Sequence, residues 1–196
     1  MMLDAHVRVD RQEAATRRPM RPDAARNYDA LIAAARKEFD EHGEDAALKA
    51  IARRASVGIA TLYRHFPTRS SLIESVYADD VVELVNGLCH QATGSGPDEP
   101  GEVLRSWLGR FMCAVSEDLA LREVFRVESA RFTPCRLALC QVVKLLLDKA
   151  QVAHAFRLET HVDAFMRTVV SVATSPFVTH RQRHHVLAVL LRGIGI

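Results

Sequence analysis

Apolar side chains recur every three or four residues along most of the chain, a spacing that places them on one face of an α-helix. The first such pattern predicts a helix over residues 23–42. Asp23 has the side chain expected of its N-cap, and Gly43 is expected to end it. The stripe of this helix consists of Tyr28, Leu31, Ile32, Ala35 and Phe39.

Two shorter patterns follow at once and are separated by a break. Leu48 begins a helix whose apolar face also includes Ile51, Ala52 and Ala55, and a second short helix is predicted over residues 59–66, ended by Pro67. Ser56, Val57 and Gly58 interrupt the pattern, and we expect Gly58 to supply the backbone angles of the turn. Two short helices joined by a tight turn are typical of a helix-turn-helix, whose second helix enters the major groove of DNA.

The rest of the chain continues the helical pattern. Further helices are predicted over residues 70–91, 103–115, 119–128, 133–150 and 160–175, and from about residue 180 onward. Thr133 with Pro134 is expected to start one of them, Thr160 the next, and Thr179 with Gln182 forms a capping box for the last. Residues 92–101 are rich in Gly and Pro and are expected to be a linker. The sequence therefore predicts an all-α protein.

Composition excludes several classes of protein. The 196 residues are 48% apolar and 26% charged, which is typical of a globular chain, and the net charge of +2 is too small to indicate nucleic acid by itself. No apolar run reaches the roughly 18–20 residues that span a bilayer. The N-terminus is charged from Asp4 onward and does not resemble a secretory signal, so a cytoplasmic location is expected.

Cysteine and histidine spacing indicates no metal site or cofactor. The cysteines, Cys89, Cys113, Cys135 and Cys140, form neither a CxxC nor a Cys/His zinc pattern and are expected to be buried or idle thiols. A redox pair of Cys135 and Cys140 is the alternative. His180 and His184 are one helical turn apart and His185 is adjacent, but the neighbouring side chains are arginines, which repel cations, so these histidines are expected to be solvated or at an interface.

Charge is unevenly distributed around the predicted helix-turn-helix. Residues 46–70 contain Lys49, Arg53, Arg54, Arg64 and Arg69 but neither Asp nor Glu, as expected of a surface that faces phosphates. A solvated helical hairpin is the alternative explanation. Residues 1–20 form a basic segment, expected to be disordered in the free protein and to follow the DNA backbone or enter the minor groove on binding.

The order of motifs in this region resembles the tetracycline-repressor-like (TetR/AcrR) regulators. The residues that carry the resemblance are Ala33 to Gly43, Ile51 to Gly58 and Thr61 to Arg69, with Leu72 after them, and it covers about residues 21–85. Two positions depart from the family pattern. Ser56 occupies a place where Gly is commonest, and Arg69 replaces the usual Lys, but both retain the physical role of a small turn residue and a cation.

Position within the predicted recognition helix suggests a role for each side chain. Ile59 and Ala60 lie at its start, where they can contact base edges such as thymine methyls. Leu62 and Phe66 are expected to face inward. The side chains assigned to phosphate, or in the case of Arg64 to phosphate or a guanine edge, are Lys49, Thr61, Tyr63, Arg64, His65 and Arg69. For Thr61, Tyr63 and His65 the resemblance implies this role; for Tyr63 and His65, packing within the three-helix core is the alternative.

The second half of the chain carries candidates for two further sites. Its large apolar residues either form a plain core or surround a pocket for a small hydrophobic effector, as the resemblance implies; they are Trp107, Phe111, Met112, Phe125 and Phe132. The last two helices offer more apolar surface than one pair hides, and the resemblance implies a homodimer through Val162, Phe165, Met166, Val169, Val186, Leu187 and Leu190.

Together these features predict a DNA-binding transcriptional regulator, a repressor released from its operator by a small molecule. Residues 1–20 form an arm, residues 21–69 the helix-turn-helix head, and residues 70–196 a helical regulatory and dimerisation domain. The helix over residues 70–91 is expected to transmit effector binding to the head. An enzyme is not expected, since the chain shows no catalytic constellation. The alternative is a ligand-sensing or protein-interaction module with the same fold that does not bind DNA.

Overall fold

The computed structural model describes residues 8–9, 21–93, 100–154, 161–176 and 179–193. Within these residues the secondary structure is helical, as the pattern predicts, and no strand is present. The α-helices are α1 (Pro22–His42), α2 (Leu48–Arg54), α3 (Ile59–His65), α4 (Arg69–Thr93), α5 (Pro100–Glu117), α6 (Leu119–Arg126), α7 (Thr133–His154), α8 (Val162–Thr174) and α9 (His180–Gly193), with a 3₁₀ turn at Gly43–Asp45.

The chain divides into two compact units, and the division falls within α4. One unit is Arg11–Asp80, and the other combines Met1–Asp10 with Val81–Ile196. The first part of α4 therefore belongs to one unit and its remainder to the other. Each unit has its own apolar core, which is the arrangement expected when a chain forms two separately packed bodies.

The core of the first unit is built from the faces that the periodicity predicts. Leu31, Ile51, Leu62 and Leu72, one from each of its four helices, are completely buried, and Phe66 is 1% exposed. Burying side chains of this size contributes about 1.5–3 kcal/mol each relative to leaving them in water. The inward orientation predicted for Leu62 and Phe66 is confirmed.

Two details of this unit differ from the sequence-based expectation. Asp23 is not the N-cap of α1: Arg21 occupies that position, Pro22 begins the helix and Asp23 lies in the first turn. Proline suits this place because the first helical N–H has no partner within the helix. Gly43 does end α1, with a φ of +55° and its N–H donated to the carbonyl of Phe39.

The turn of the helix-turn-helix does not depend on Gly58. Ser56 has the left-handed conformation, with a φ of +57°, whereas Gly58 is the N-cap of α3 with a φ of −70° that any residue can adopt. A Cβ atom added at Gly58 would meet nothing within 4 Å. The backbone strain of the turn therefore lies at Ser56, where a glycine would adopt the same angles more easily.

The second unit is a bundle of helices with well-defined starts. Asp118 caps α6 by accepting a hydrogen bond from the Leu121 N–H at 2.8 Å. The capping box predicted at α9 is confirmed, since the Thr179 N–H donates to Gln182 Oε1 at 2.9 Å and the Gln182 N–H to Thr179 Oγ1 at 3.4 Å. In the first unit, a further capping box starts α4, where the side chains of Thr68 and Ser71 accept from each other's N–H groups at 3.0 and 3.2 Å.

Several expectations fall partly or wholly outside the described residues. These are residues 94–99 of the predicted linker and all of the basic segment except residues 8–9. The start predicted for α8 at Thr160 is wrong, because His161 is the N-cap and the helix begins at Val162. Val9 is buried and forms two hydrogen bonds with Asn86: its N–H donates to Asn86 Oδ1 at 2.8 Å, and Asn86 Nδ2 donates to its carbonyl at 3.1 Å. In the described parts of the chain, every helix is too short or too polar to cross a bilayer.

Candidate nucleic-acid interface

The recognition helix α3 is anchored by one side and exposed on the other. Leu62 points into the core, whereas Ala60, Tyr63 and Arg64 are exposed, and 49% of the Tyr63 surface is open to solvent. Ile59, Thr61 and His65 are half-buried. The exposed set combines a small apolar side chain, a phenol and a guanidinium on a helix of seven residues.

Backbone hydrogen bonds define the end of α2 and the start of α3. The Val57 N–H donates to the carbonyl of Ala52 at 3.0 Å, and the N–H groups of Thr61 and Leu62 donate to the carbonyl of Gly58 at 2.9 and 3.2 Å. The buried Ala52 leaves room for α3 to pass close by. This is the geometry in which the second helix of a helix-turn-helix projects its outer face toward a ligand.

His65 and Tyr63 have different environments. The His65 ring lies 6.0 Å from the Tyr28 ring in an edge-to-face arrangement, and Tyr28 in turn packs 5.1 Å from Phe66. The packing alternative considered for His65 therefore describes part of its environment. Tyr63 points outward instead, so the two side chains predicted to act alike are not equivalent.

The cations of residues 46–70 differ in whether they already have a partner in the chain. Lys49, Arg53, Arg54 and Arg64 are exposed. Arg54 is bound to two carboxylates of α1: its Nε donates to Glu38 Oε1 at 2.8 Å, and its terminal nitrogens donate to Glu41 at 2.9 and 2.6 Å. The hydrogen bond from Arg54 is the main reason that the pKa of Glu41 lies below its usual value. Arg54 is thus largely neutralised and ties α2 to α1.

Arg69 is also turned toward its own chain. Its guanidinium donates to the carbonyls of Ala46 and Gly43, the latter at 3.2 Å, and lies over the ring of Phe39. These contacts of Arg69 join the start of α4 to the end of α1. The structure therefore gives Arg69 a packing role that the sequence did not indicate, and the phosphate contact assigned to it stays a prediction.

Sequence reasoning missed the partners that fix this surface. Glu38, Glu41 and Tyr28 all lie on α1, thirteen or more residues before the groups they contact. In the sequence, Glu38 is recognisable only as a carboxylate next to the apolar stripe of α1. In the structure it is 6% exposed. A buried carboxylate requires a cation beside it, and Arg54 supplies one.

The predicted effector residues lie within the core of the second unit. Trp107 and Phe111 are completely buried and stack with their ring centroids 5.5 Å apart, and Phe125 meets the Phe111 ring edge-on. The Trp107 indole donates to the carbonyl of Leu88 at 2.8 Å. Met112 and Phe132 are 5% and 1% exposed. These side chains pack against neighbours, so the plain-core alternative accounts for the conformation observed.

The predicted interface residues divide into two groups. Phe165, Met166, Val169 and Leu187 are buried inside their own chain, so in this structure they are core residues rather than surface. Val162, Val186 and Leu190 are half-buried, and the neighbouring Val189 is 50% exposed. An apolar strip on α9 therefore remains exposed to solvent. Its centre is Val189, which is not among the interface residues predicted from the sequence.

The thiols are free, and two of the four are buried. Cys89 and Cys135 are buried, Cys140 is half-buried and Cys113 is exposed. Burial raises the pKa of Cys89, Cys135 and Cys140 to about 11. A thiol with this pKa is a poor nucleophile at neutral pH, which disfavours the redox alternative for Cys135 and Cys140.

Comparison with known proteins supports this description. The family model "Bacterial regulatory proteins, tetR family" matches residues 31–76, which include α2 and α3. An HTH-type transcriptional regulator of Staphylococcus aureus (strain USA300), SAUSA300_2515, is 40% identical over 63 residues, 32% of this chain and 34% of that protein. The match to the curated relatives thus spans about a third of their length.

Two solved structures extend the similarity along the chain. RolR in complex with resorcinol has a TM-score of 0.59 at 21% identity, over 89% of this chain and 90% of that chain, and so shares the fold. The TetR transcriptional regulator SCO0520 from Streptomyces coelicolor is 30% identical over 85% of this chain and 97% of that chain, with a TM-score of 0.48. The chain belongs to the tetR family of bacterial regulatory proteins.

Proposed function

We propose that this chain is a DNA-binding transcriptional repressor that reads its operator with α3. The observation that supports this proposal most directly is the exposed face of α3. Ala60, Tyr63 and Arg64 project outward, while Leu62 fixes the helix to the core. A helix of two turns held in this way fits the major groove. The family to which the chain belongs supports the same function.

The side chains of the head divide into base-reading and phosphate-binding groups. Ile59 and Ala60, at the start of α3, offer apolar contact to thymine methyls, so DNA shape contributes much of the sequence preference. Tyr63, Arg64 and Lys49 are exposed and carry the donors suited to phosphate. Thr61 and His65 are half-buried and contact phosphate only through the part of each side chain that remains open.

The operator is read by a twofold homodimer. The strip of α9 formed by Val186, Val189 and Leu190 is the surface that a second copy would cover, and an isologous contact there pairs the same residues from both chains. Two heads related by a twofold axis require half-sites about 34–36 Å apart, or a multiple of that distance.

A small hydrophobic effector acts on the second unit. The fold is shared with RolR, which has been solved with resorcinol, and this likeness supports a small-molecule ligand for this chain. Because Trp107, Phe111 and Phe125 are closely packed here, the effector must displace side chains to enter. It releases DNA only if it binds the DNA-incompetent conformation more tightly than the competent one.

A salt titration of binding to random duplex DNA tests the proposal. Wild type is compared with Arg64→Ala and with the control Arg110→Ala, which removes an arginine that is likewise exposed, on α5. Each lost phosphate contact lowers the slope of log affinity against log salt by about 0.9, so Arg64→Ala should flatten it and the control should not. A folded wild-type protein that binds no DNA at low salt would refute the proposal and favour the ligand-sensing or protein-interaction module.

A further inference from the structure

A surface cleft lies between α5 and α9, within the second unit and apart from the aromatic core. Its enclosed volume is small, about 10 Å³, so a ligand there would lie mostly in the part that is open to solvent. The residues that line it are Gly109, Met112, Cys113 and Ser116 from α5 and Arg183 and His184 from α9. Of these, only Met112 belongs to the residues proposed above for an effector.

Arg183 brings an unsatisfied donor to this cleft. Its Nε is shielded from solvent and has no hydrogen-bond partner, and its guanidinium forms no ion pair with a carboxylate among the described residues. Arg183 itself is half-buried, but a shielded N–H donor such as its Nε is normally paired with a hydrogen-bond acceptor. Arg183 therefore lacks a partner of the kind that an anionic ligand supplies.

A negatively charged side chain, the carboxylate of Glu117, lies next to the cleft residue Cys113. Glu117 is exposed, one helical turn beyond Cys113, and accepts a hydrogen bond from the Cys113 thiol at 3.4 Å. This contact raises the pKa of Cys113, whereas the positive charge of Arg183 acts on the same thiol in the opposite direction. The field of Arg183 thus reaches the cleft, while Glu117 disfavours a ligand of high negative charge.

The walls of the cleft indicate the chemical class of the ligand. Met112 offers an apolar surface, and the absence of a side chain at Gly109 leaves space beside His184, whose ring carbon would lie 3.8 Å from an added Cβ. A guanidinium pairs with a planar carboxylate through two parallel N–H···O bonds. We propose that the α5–α9 cleft binds a small organic carboxylate, with its oxygens on Arg183 and its short apolar part against Met112.

The test measures binding directly, so its result does not depend on DNA binding. Full-length protein labelled with ¹⁵N is titrated with butyrate while the arginine Nε–H and backbone amide signals are followed by NMR, so that affinity can also be measured in variants that lack Arg183. The comparison probes are n-butanol and inorganic phosphate. Saturable butyrate binding that shifts the Arg183 signal is expected. Arg183→Gln should weaken it about tenfold or more, as expected when a charge-assisted hydrogen bond is lost. The control Arg181→Gln removes an exposed charge from the same helix and should change the affinity by less than about twofold.

Alkylation of Cys113 gives a second readout. It is the exposed thiol of the described residues, and its modification by iodoacetamide can be located by mass spectrometry. Butyrate should slow this reaction in wild type and Arg181→Gln but not in a folded Arg183→Gln. If Arg183→Gln does not fold, Arg183→Lys replaces it. A weaker affinity for butyrate is again expected, because lysine lacks the planar pair of N–H donors with which a guanidinium binds a carboxylate. No saturable binding, equal losses in both variants, or phosphate binding as tight as butyrate would overturn the proposal.

Discussion

The guanidinium of Arg69 lies over the ring of Phe39, with 5.0 Å between Cζ and the ring centroid. It also donates to the carbonyls of Gly43 and Ala46, which follow the end of α1. One side chain at the start of α4 therefore covers the end of α1 and satisfies two carbonyls there. This arrangement makes Arg69 part of the packing of the head, whatever it contributes to DNA.

Arg69→Ala is accordingly expected to destabilise the protein. The loss of two charge-assisted hydrogen bonds and a cation–π contact should lower the free energy of unfolding by about 1–3 kcal/mol. Urea denaturation measures this, with Arg64→Ala as the control because Arg64 is exposed on α3. A DNA-binding defect in Arg69→Ala cannot be assigned to phosphate contact unless the variant is first shown to be as stable as wild type. Equal stability of all three proteins would contradict the packing role.

Ser56→Gly is expected to stabilise the protein. Ser56 has a φ of +57°, a conformation that is costly for a residue with a Cβ and free for glycine. The gain should be about 0.5–1 kcal/mol, since the greater freedom of glycine in the unfolded chain offsets part of the relieved strain. Thermal unfolding measures the change. Gly58→Ala should have little effect because its φ of −70° suits alanine; a large loss there with no gain at Ser56 would mean that the turn strains Gly58 instead.

Stability should fall in acid partly through Glu41. Arg54 holds the pKa of this carboxylate below its usual value, so the folded state binds a proton less readily than the unfolded state. The stability that this provides is present above the unfolded pKa of about 4.3 and is lost as the pH falls through the lower folded pKa. Glu41→Gln should therefore reduce stability at pH 7 and lessen its decline below about pH 4. Urea midpoints at several pH values measure this.

The control for that experiment is Asp79→Asn, which neutralises an exposed carboxylate with no ion pair in the described part of the chain. It should leave the stability at pH 7 and the acid decline nearly unchanged. If Glu41→Gln and Asp79→Asn behaved alike, the bond between Arg54 and Glu41 would contribute nothing measurable.

Val189→Glu is expected to dissociate the proposed dimer without unfolding the chain. Val189 is 50% exposed on α9, so a carboxylate there is hydrated in a monomer but buried without a partner in an interface. Sedimentation velocity measures the oligomeric state. Leu137→Glu is the control, because Leu137 is 54% exposed on a different helix, α7. A dimer that survives Val189→Glu would place the interface elsewhere.

Features set by residues close together in the sequence could be predicted, and those set by distant residues could not. The capping box of Thr179 and Gln182 and the helix end at Gly43 each depend on a few consecutive residues, and both are present. The pairing of Arg54 with Glu38 depends on how α2 crosses α1, which no local pattern contains. The same reason explains why Arg64 and Arg69, both basic and five residues apart, face opposite ways.

The site in the second half of the chain shows the same limit. An apolar stripe indicates which face of a helix is covered but not what covers it. Met166 and Leu187 are covered by their own chain, whereas Val189 remains open. Only the packing of α8 and α9 distinguishes these cases, so the sequence selected core residues for an interface. The sequence did not indicate a site at Arg183 either, because only the folded structure shows that its Nε has no hydrogen-bond partner.

The pair of hydrogen bonds between Val9 and Asn86 has a consequence for any shortened form of the protein. Removing the first twenty residues, which look dispensable by composition, would take away both partners of the Asn86 amide and uncover the apolar surface beneath Val9. The trimmed protein would then differ from the native one on α4, the helix shared by both units. Properties measured on a form that lacks this segment would therefore describe an altered helix rather than a simple deletion of a tail.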